Sequence, residues 1–157
     1  MLRERLAHLL SRCSRPLELP LIVQKELAKH VREAKHELKC LHLANGGWRI
    51  VLLSHAEQIC NALNTPKAGP LDDLFHKFLG LESLSDKWSC GGNTLNGFVG
   101  VRGDIAHRGR AATYVTLEKL KDQLSLIDCA AKETDNAVRE HIRTATAKRH
   151  QPWKIIL

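Results

Sequence analysis

Apolar residues recur every three or four positions along almost the whole chain, and this periodicity limits the fold more than any other feature of the sequence. Such spacing gives a helix one apolar stripe that must be buried against a partner. No segment shows sustained alternation of β-branched or aromatic residues with polar ones, the pattern of a strand with one buried face. We therefore expect an all-α domain, a helical bundle of about five helices in which long central helices form the core.

Proline and capping residues divide the periodic pattern into separate helices. Pro16 and Pro66 each stop a helix because proline cannot continue one, and Thr116 can cap the last helix. The expected helices cover residues 2–13, 20–43, 48–63, 71–79, 93–108 and 117–143. The residues expected to be buried in the second and the last of these helices are Leu27, Val31, Ala34, Leu38 and Leu41, and Leu117, Leu120, Leu124, Ile127, Ala131 and Val138.

The charge of the chain indicates an anionic partner. A net charge of +7 and a pI near 9.4 favour association with polyanions, and RNA or DNA is the first partner to consider. A solvated basic surface, or an acidic protein partner, explains the same charge.

The cysteines and the apolar segments indicate the compartment. The five cysteines lie singly, without the Cys-x-x-Cys spacing of a zinc site, which favours a reduced chain. Neither a signal-peptide core nor an apolar run of membrane-spanning length is found, so we expect a cytoplasmic protein without membrane association. His30, His36 and His42 recur every six residues, which spreads them around a helix, and we expect neither a metal site nor a cofactor.

One polar motif, VRGDIAHRGR at residues 101–110, contains residue types suited to cleaving RNA without a metal. Histidine moves protons near neutral pH, and arginine stabilises charge that builds on a phosphate. The spacing of Arg102 and His107 is unspecific by itself, but His107 alone follows an apolar helical stretch and precedes a basic turn. The other arginines followed by histidine after four to six residues are Arg3/His8, Arg49/His55 and Arg143/His150.

The geometry of an ideal helix separates the two motif residues. Five positions give about 7.5 Å of rise and about 140° of rotation, so Arg102 and His107 do not share one face. They can meet one phosphate if the arginine wraps around the helix, if the helix end distorts, or if two chains pair their sites. Asp104 either orients one of these two residues or forms a surface ion pair with Arg108, four positions later.

Glycines at every third position precede the motif and form a second unusual feature of this segment. Gly97, Gly100 and Gly103 would each cost a helix about 1 kcal/mol relative to alanine. A glycine ridge on a helix permits the close approach of another helix or of a substrate. The alternative is that these glycines mark a loop.

At VRGDIAHRG the chain resembles the HEPN superfamily of all-α nucleases and nucleotide-binding proteins, whose hallmark is an arginine, four to six residues, and a histidine. It is most similar to the RiboL-PSP-type branch, where a stretch like R-N-x-I-A-H-G closes a helix; the matching residues here are Arg102, Asp104, Ile105, Ala106 and His107. A second match is RIVLLSHAEQICNAL, where Glu57 fits an acidic residue that faces the motif from an apolar central helix. The resemblance implies one HEPN-like domain over residues 1–157, with its core at about residues 20–142 and a basic tail at 144–157.

This resemblance implies a homodimer that brings two Arg102/His107 pairs into one cleft and acts as a metal-independent RNA endonuclease. His107 would be the general acid or base and Arg102 would stabilise the phosphate, with Asp104 and Glu57 orienting them. Arg108 and Arg110 would bind the flanking phosphates of the RNA, or be ordinary solvated charges. The biological setting would be a toxin of a toxin–antitoxin or phage-defence system, with an antitoxin or regulatory protein as a possible partner.

Two alternatives to a nuclease remain at this point. A catalytically silent HEPN module would bind RNA or nucleotide, or another protein, and Gly103 favours it because the family usually has a polar residue after the arginine. A helical adaptor that dimerises through its glycines would make His107 irrelevant to function. A partly buried glutamate that makes a structural hydrogen bond is likewise an alternative for Glu57.

Overall fold

A computed structural model of the chain describes residues 1–34, 36–108, 116–145 and 152–156, and within these ranges the side chains of Glu37, His107 and Arg108 are not described. Every regular element in these ranges is helical, which confirms the all-α prediction. Six α-helices are present, close to the expected bundle of about five, and each overlaps one of the six predicted ranges. They are α1 (Leu2–Arg12), α2 (Leu21–Glu33), α3 (Gly47–Ala62), α4 (Ala68–Leu79), α5 (Gly92–Arg108) and α6 (Leu117–Ala145), with short 3₁₀ segments at Pro16–Glu18, Glu37–Gly46 and Leu84–Lys87.

The core lies where α1, α2, α3 and α4 pack together. α1 contacts α3 and α4, α2 contacts the same two helices, and α4 also contacts α5. Leu6 and Leu9 of α1, Leu52 of α3 and Phe78 of α4 are completely buried in this core. The first helix, which lies outside the range of the HEPN resemblance, is therefore an integral part of the packing.

The second helix is shorter than predicted. α2 ends at Glu33, and a 3₁₀ segment with a kink at Ala44 and Asn45 replaces its expected continuation to residue 43. Leu38 and Leu41 are 56% and 67% exposed, so the prediction that they are buried is wrong. The chain must turn back early because α3 packs against both α1 and α2. Apolar spacing persists through such a reversal and does not reveal it.

The last helix begins and ends close to the predicted residues. Thr116 caps it, since its Oγ1 accepts a hydrogen bond of 3.2 Å from the backbone N–H of Lys119. The carboxyl-terminal half is well anchored. The Trp88 indole N–H donates to Thr134 Oγ1 at 2.8 Å, and Val138 and Ile142 are buried.

The amino-terminal half of α6 does not follow the predicted burial. Four of its apolar side chains are 40–70% exposed, because nothing in the described chain packs over that face. We refer to these four residues as the α6 stripe: Leu117, Leu120, Leu124 and Ile127. Among the described helices, none combines the length and apolar character needed to cross a membrane.

Candidate functional site

The predicted motif lies at the carboxyl-terminal end of α5. Arg102 and Asp104 are both exposed on this helix. The α-helix continues without a break from residue 102 to residue 108, so the backbone of His107 lies in its last turn. The side chains of His107 and Arg108 lie outside the description, as does the whole of Arg110. The distance from the guanidinium of Arg102 to the imidazole of His107 therefore stays a prediction.

A continuous helix still constrains how the two motif residues can act. It places their backbones about 7.5 Å apart along the axis and about 140° apart around it. The backbone positions of Arg102 and His107 consequently lie on different sides of α5. The structure thus retains the geometric reason for expecting a second chain to complete a site.

The three glycines of α5 are helical, so the alternative that they mark a loop is wrong. A methyl group added at Gly97, Gly100 or Gly103 would meet no atom within 4 Å, apart from its own helix backbone and its chain neighbours. No described side chain thus packs closely on this ridge. The space in front of it is open to a ligand or to another helix.

An apolar groove lies on another face of α5, the one that carries Leu95, Phe98 and Val99. It has a volume of about 410 Å³ and is bounded by α4, α5 and α6, with Met1 and Leu2 at one side. Phe98 of α5 and Phe75 of α4 line it, and Thr134 supplies one of its few polar atoms. Ile127 belongs both to the groove wall and to the α6 stripe, so the two form one continuous apolar surface. Such a surface suits a protein partner and not a phosphate.

Glu57 lies at the surface of α3, near Arg3 of α1. Its side chain is 49% exposed, and its Oε2 lies 3.8 Å from Nε of Arg3 on α1. Within the described part of the chain, no ion pair joins Glu57 to Arg102. A half-exposed carboxylate near Arg3 is compatible with the alternative of a partly buried glutamate in a structural role. The sequence contained no signal of the Arg3 contact, since α1 lies outside the resemblance.

A second polar cluster, which the sequence analysis did not find, joins α2, α3 and α4. His55 Nε2 lies 2.7 Å from Glu26 Oε1, and the ring of His30 stacks on that of His55 with centroids 3.9 Å apart. Lys77 Nζ is 3.9 Å from the same carboxylate oxygen. Burial, and then the neighbouring His55, lower the pKa of His30. Because His55 and Glu26 are largely buried, this cluster is better suited to linking three helices than to binding a substrate.

The structure gives no support for metal or thiol chemistry in its described ranges. These ranges contain no group of three or more His, Cys, Asp or Glu side chains placed to hold a metal ion. Burial raises the pKa of the Cys60 thiol, and Glu57 nearby raises it further. A raised pKa leaves less thiolate, which makes Cys60 a poor nucleophile.

Comparison of the chain with protein-family models, curated proteins and solved structures finds no match. The HEPN resemblance accordingly depends on the motif around Arg102 and His107 and on the order of the helices.

Proposed function

We propose that the chain is a metal-independent RNA endonuclease of the HEPN type that acts as a homodimer. The observation that carries this proposal is the end of α5, where Arg102 is exposed on a helix that continues through His107. This helix end lies beside an open glycine ridge, and α6 carries an uncovered apolar stripe. A basic chain with these features can bind RNA and a second copy of itself at neighbouring surfaces.

The spacing of the α6 stripe supports a second copy as the partner. Leu117, Leu120, Leu124 and Ile127 are three, four and three positions apart, which is the a/d spacing of a coiled-coil seam. A seam of this kind is self-complementary, because two identical helices can pack their apolar positions into each other. Burying each side chain would contribute on the order of 2 kcal/mol to association before the entropic cost of binding.

The chemistry assigned to the dimer follows from the ionisable groups of the motif. His107 of one chain removes the proton of a ribose 2′-OH, and His107 of the other protonates the departing 5′-oxygen. Arg102 stabilises the negative charge on the phosphate, and Asp104 orients Arg102 or His107. Arg108 and Arg110 bind the flanking phosphates. The role of Glu57 in orienting the motif stays a prediction, and in the monomer its carboxylate lies 3.8 Å from Arg3.

The first test is incubation of the purified protein with total cellular RNA in excess EDTA. We expect cleavage by the wild type and loss of cleavage by about a hundredfold or more in His107→Ala. His42→Ala, at an exposed histidine of the 3₁₀ segment Glu37–Gly46, is the matched control. Equal cleavage by His107→Ala and wild type, with both folded and in the same oligomeric state, would contradict the proposal.

A toxin role predicts a cellular effect that depends on the same residue. Induced expression of the wild type should arrest growth, and His107→Ala should not, at equal protein levels. A neutralising antitoxin would then be found as a protein whose co-expression restores growth. Growth arrest by both forms would separate toxicity from cleavage at this site.

The second candidate function is RNA or nucleotide binding without cleavage. It is favoured by Gly103, which leaves open space where the family usually has a polar side chain next to the arginine. This function predicts that the wild type binds labelled RNA but does not cut it, and that Arg102→Ala weakens the binding. A combined binding and cleavage measurement on the same sample separates the two functions.

A further inference from the structure

Residues 152–156 lie against α1 and α6 although they form neither helix nor strand. Side chains of α6 bind their backbone at two positions. The Asn136 amide donates to the carbonyl of Ile156 at 2.9 Å, and its Oδ1 accepts from the backbone N–H of Ile156 at 3.1 Å. Arg139 Nε donates to the carbonyl of Trp153 at 2.6 Å. Hydrogen bonds from side chains to an irregular backbone are typical of a bound peptide.

The indole of Trp153 is the anchor of this segment. Its Nε1 donates to Asp135 Oδ2 at 2.7 Å, and the guanidinium of Arg5 lies over the ring at 3.9 Å from the centroid. The ring of His8 meets it edge-on, with centroids 5.3 Å apart and planes at 89°. One aromatic side chain is thus held by a hydrogen bond, a cation–π contact and an aromatic contact.

Two of the groups that hold Trp153, Arg5 and Asp135, also pair with each other within the helical body. Asp135 is only 2% exposed, and its second oxygen accepts a hydrogen bond of 2.6 Å from Arg5 Nε. Arg139 is also buried on α6. These contacts between α1 and α6 do not involve the tail. The helices therefore present paired polar groups, and the segment supplies an indole donor and backbone groups that hydrogen-bond to them.

The segment itself is bound at few points. Lys154, Ile155 and Ile156 are exposed, and the two hydrogen bonds of Asn136 are at the surface. A short segment with one partly buried anchor and exposed flanks can leave and rebind without unfolding the helices beneath it.

We propose that α1 and α6 form a peptide-binding site for an extended segment with a tryptophan anchor, and that the chain's own carboxyl-terminal residues occupy it reversibly. Arg5, His8 and Asp135 recognise the tryptophan side chain. Arg139 binds the backbone at the anchor, and Asn136 binds it three residues later. A free peptide of the same sequence competes with the attached segment for this site. The proposal is independent of the nuclease function, since it uses neither Arg102 nor His107.

The test uses the full chain with a specific protease site introduced between residues 145 and 152. Cutting frees the segment without removing it from the sample. A fluorescent peptide of residues 151–157 is then titrated into the cut and the uncut protein, with anisotropy as the measurement. We expect saturable binding to the cut protein and much weaker binding to the uncut protein, whose attached segment holds the site at high effective concentration.

Substitutions in the peptide and in the protein identify the binding site. A Trp153→Ala peptide should bind the cut protein about tenfold more weakly or worse, because it lacks the anchor. Asn136→Ala in the cut protein should weaken binding of the unaltered peptide. Asn61→Ala, at an exposed asparagine of α3, is the matched control and should not.

Three results would overturn the proposal. Equal binding of the peptide to cut and uncut protein would place it on another surface. Loss of the segment after cutting, with the helices still folded by circular dichroism and no peptide bound, would show that no site exists. Unfolding as the cut segment leaves would make the segment an integral part of the fold and not a ligand.

Discussion

The two halves of α6 carry apolar residues at the same spacing, yet they have opposite surroundings. Toward its carboxyl end, Thr134, Val138 and Ile142 are buried, and the Trp88 indole fixes Thr134. Toward its amino end, the α6 stripe is exposed. The same contrast separates the packed helices α1–α4 from α5, whose glycine ridge faces open space. One helix therefore belongs to two environments.

This contrast separates apolar surface that the chain buries by itself from apolar surface that it leaves exposed. The packed region buries its own apolar side chains within one chain. The region of α5 and the α6 stripe leaves apolar area exposed, which is costly in water unless another surface covers it. The motif residues Arg102 and His107 lie in this second region, so we look for both function and association there.

The largest expected effect is on the stability of the packed region. Phe78→Ala should lower the free energy of unfolding by about 3–5 kcal/mol, because Phe78 is fully buried and its loss leaves a cavity. Phe98→Ala, in the wall of the open groove, is the matched control and should cost clearly less. Urea denaturation at a concentration where the protein is monomeric measures both. Equal losses would mean that α5 is packed as tightly as α4.

The second prediction concerns association through the exposed region. Leu124→Glu should raise the dissociation constant of the dimer about a hundredfold or more, because a charge would be buried in an apolar seam. Leu21→Glu, at a leucine of α2 that is also exposed, should leave association unchanged. Sedimentation over a concentration series measures both. A dimer that persists in Leu124→Glu would remove the α6 stripe from the interface.

Local signals in the sequence were sufficient to predict the bounds of some helices and not of others. The bounds of α6 and the cap at Thr116 were predicted because capping and periodicity act within a few residues. The early end of α2 was missed because a chain reversal is set by packing with α3. The apolar pattern of α6 likewise could not show which of its halves is covered within one chain.

The candidate sites divide in the same way. The position of Arg102 and Asp104 on an exposed helix end was predictable from the motif. The contact of Glu57 with Arg3 could not be predicted from the sequence. The His55–Glu26 pair could not be predicted either, because its members are 29 positions apart. The Trp153 site depends on Arg5 and Asp135, which are 130 positions apart and come together only in the folded chain.

A smaller effect on stability is expected when either of two glycines of α5 is replaced by alanine. Gly100→Ala should stabilise the monomer by about 0.5–1 kcal/mol, because alanine is the better helix former and nothing blocks the added methyl group. Gly92→Ala should destabilise it, since the new Cβ would lie 2.9 Å from that of Ala68. Thermal denaturation of the monomer compares them. If the ridge also lies in the dimer interface, Gly100→Ala will weaken dimerisation while it stabilises the monomer.

The smallest expected effect is a pH dependence of stability that arises in the packed region. Burial is the main reason that the pKa values of His30 and His8 are lowered; His55 adds to it at His30, and Arg12 and Arg5 add to it at His8. Glu26 opposes the shift at His30. Unfolded histidines bind protons near pH 6.5, whereas these two do so only at lower pH when folded.

The unfolded state therefore takes up more protons as the pH falls through about 6.5, and the free energy of unfolding must decrease. Above that pH neither histidine is protonated in either state, so their contribution is constant. Denaturant titrations between about pH 7.5 and 5.5 should show the decrease, and His30→Phe, which keeps a ring against His55, should reduce it. His42→Phe on the exposed 3₁₀ segment measures the effect of the substitution itself. A decrease of equal size in His30→Phe and wild type would show that the stacked pair does not set the pH dependence.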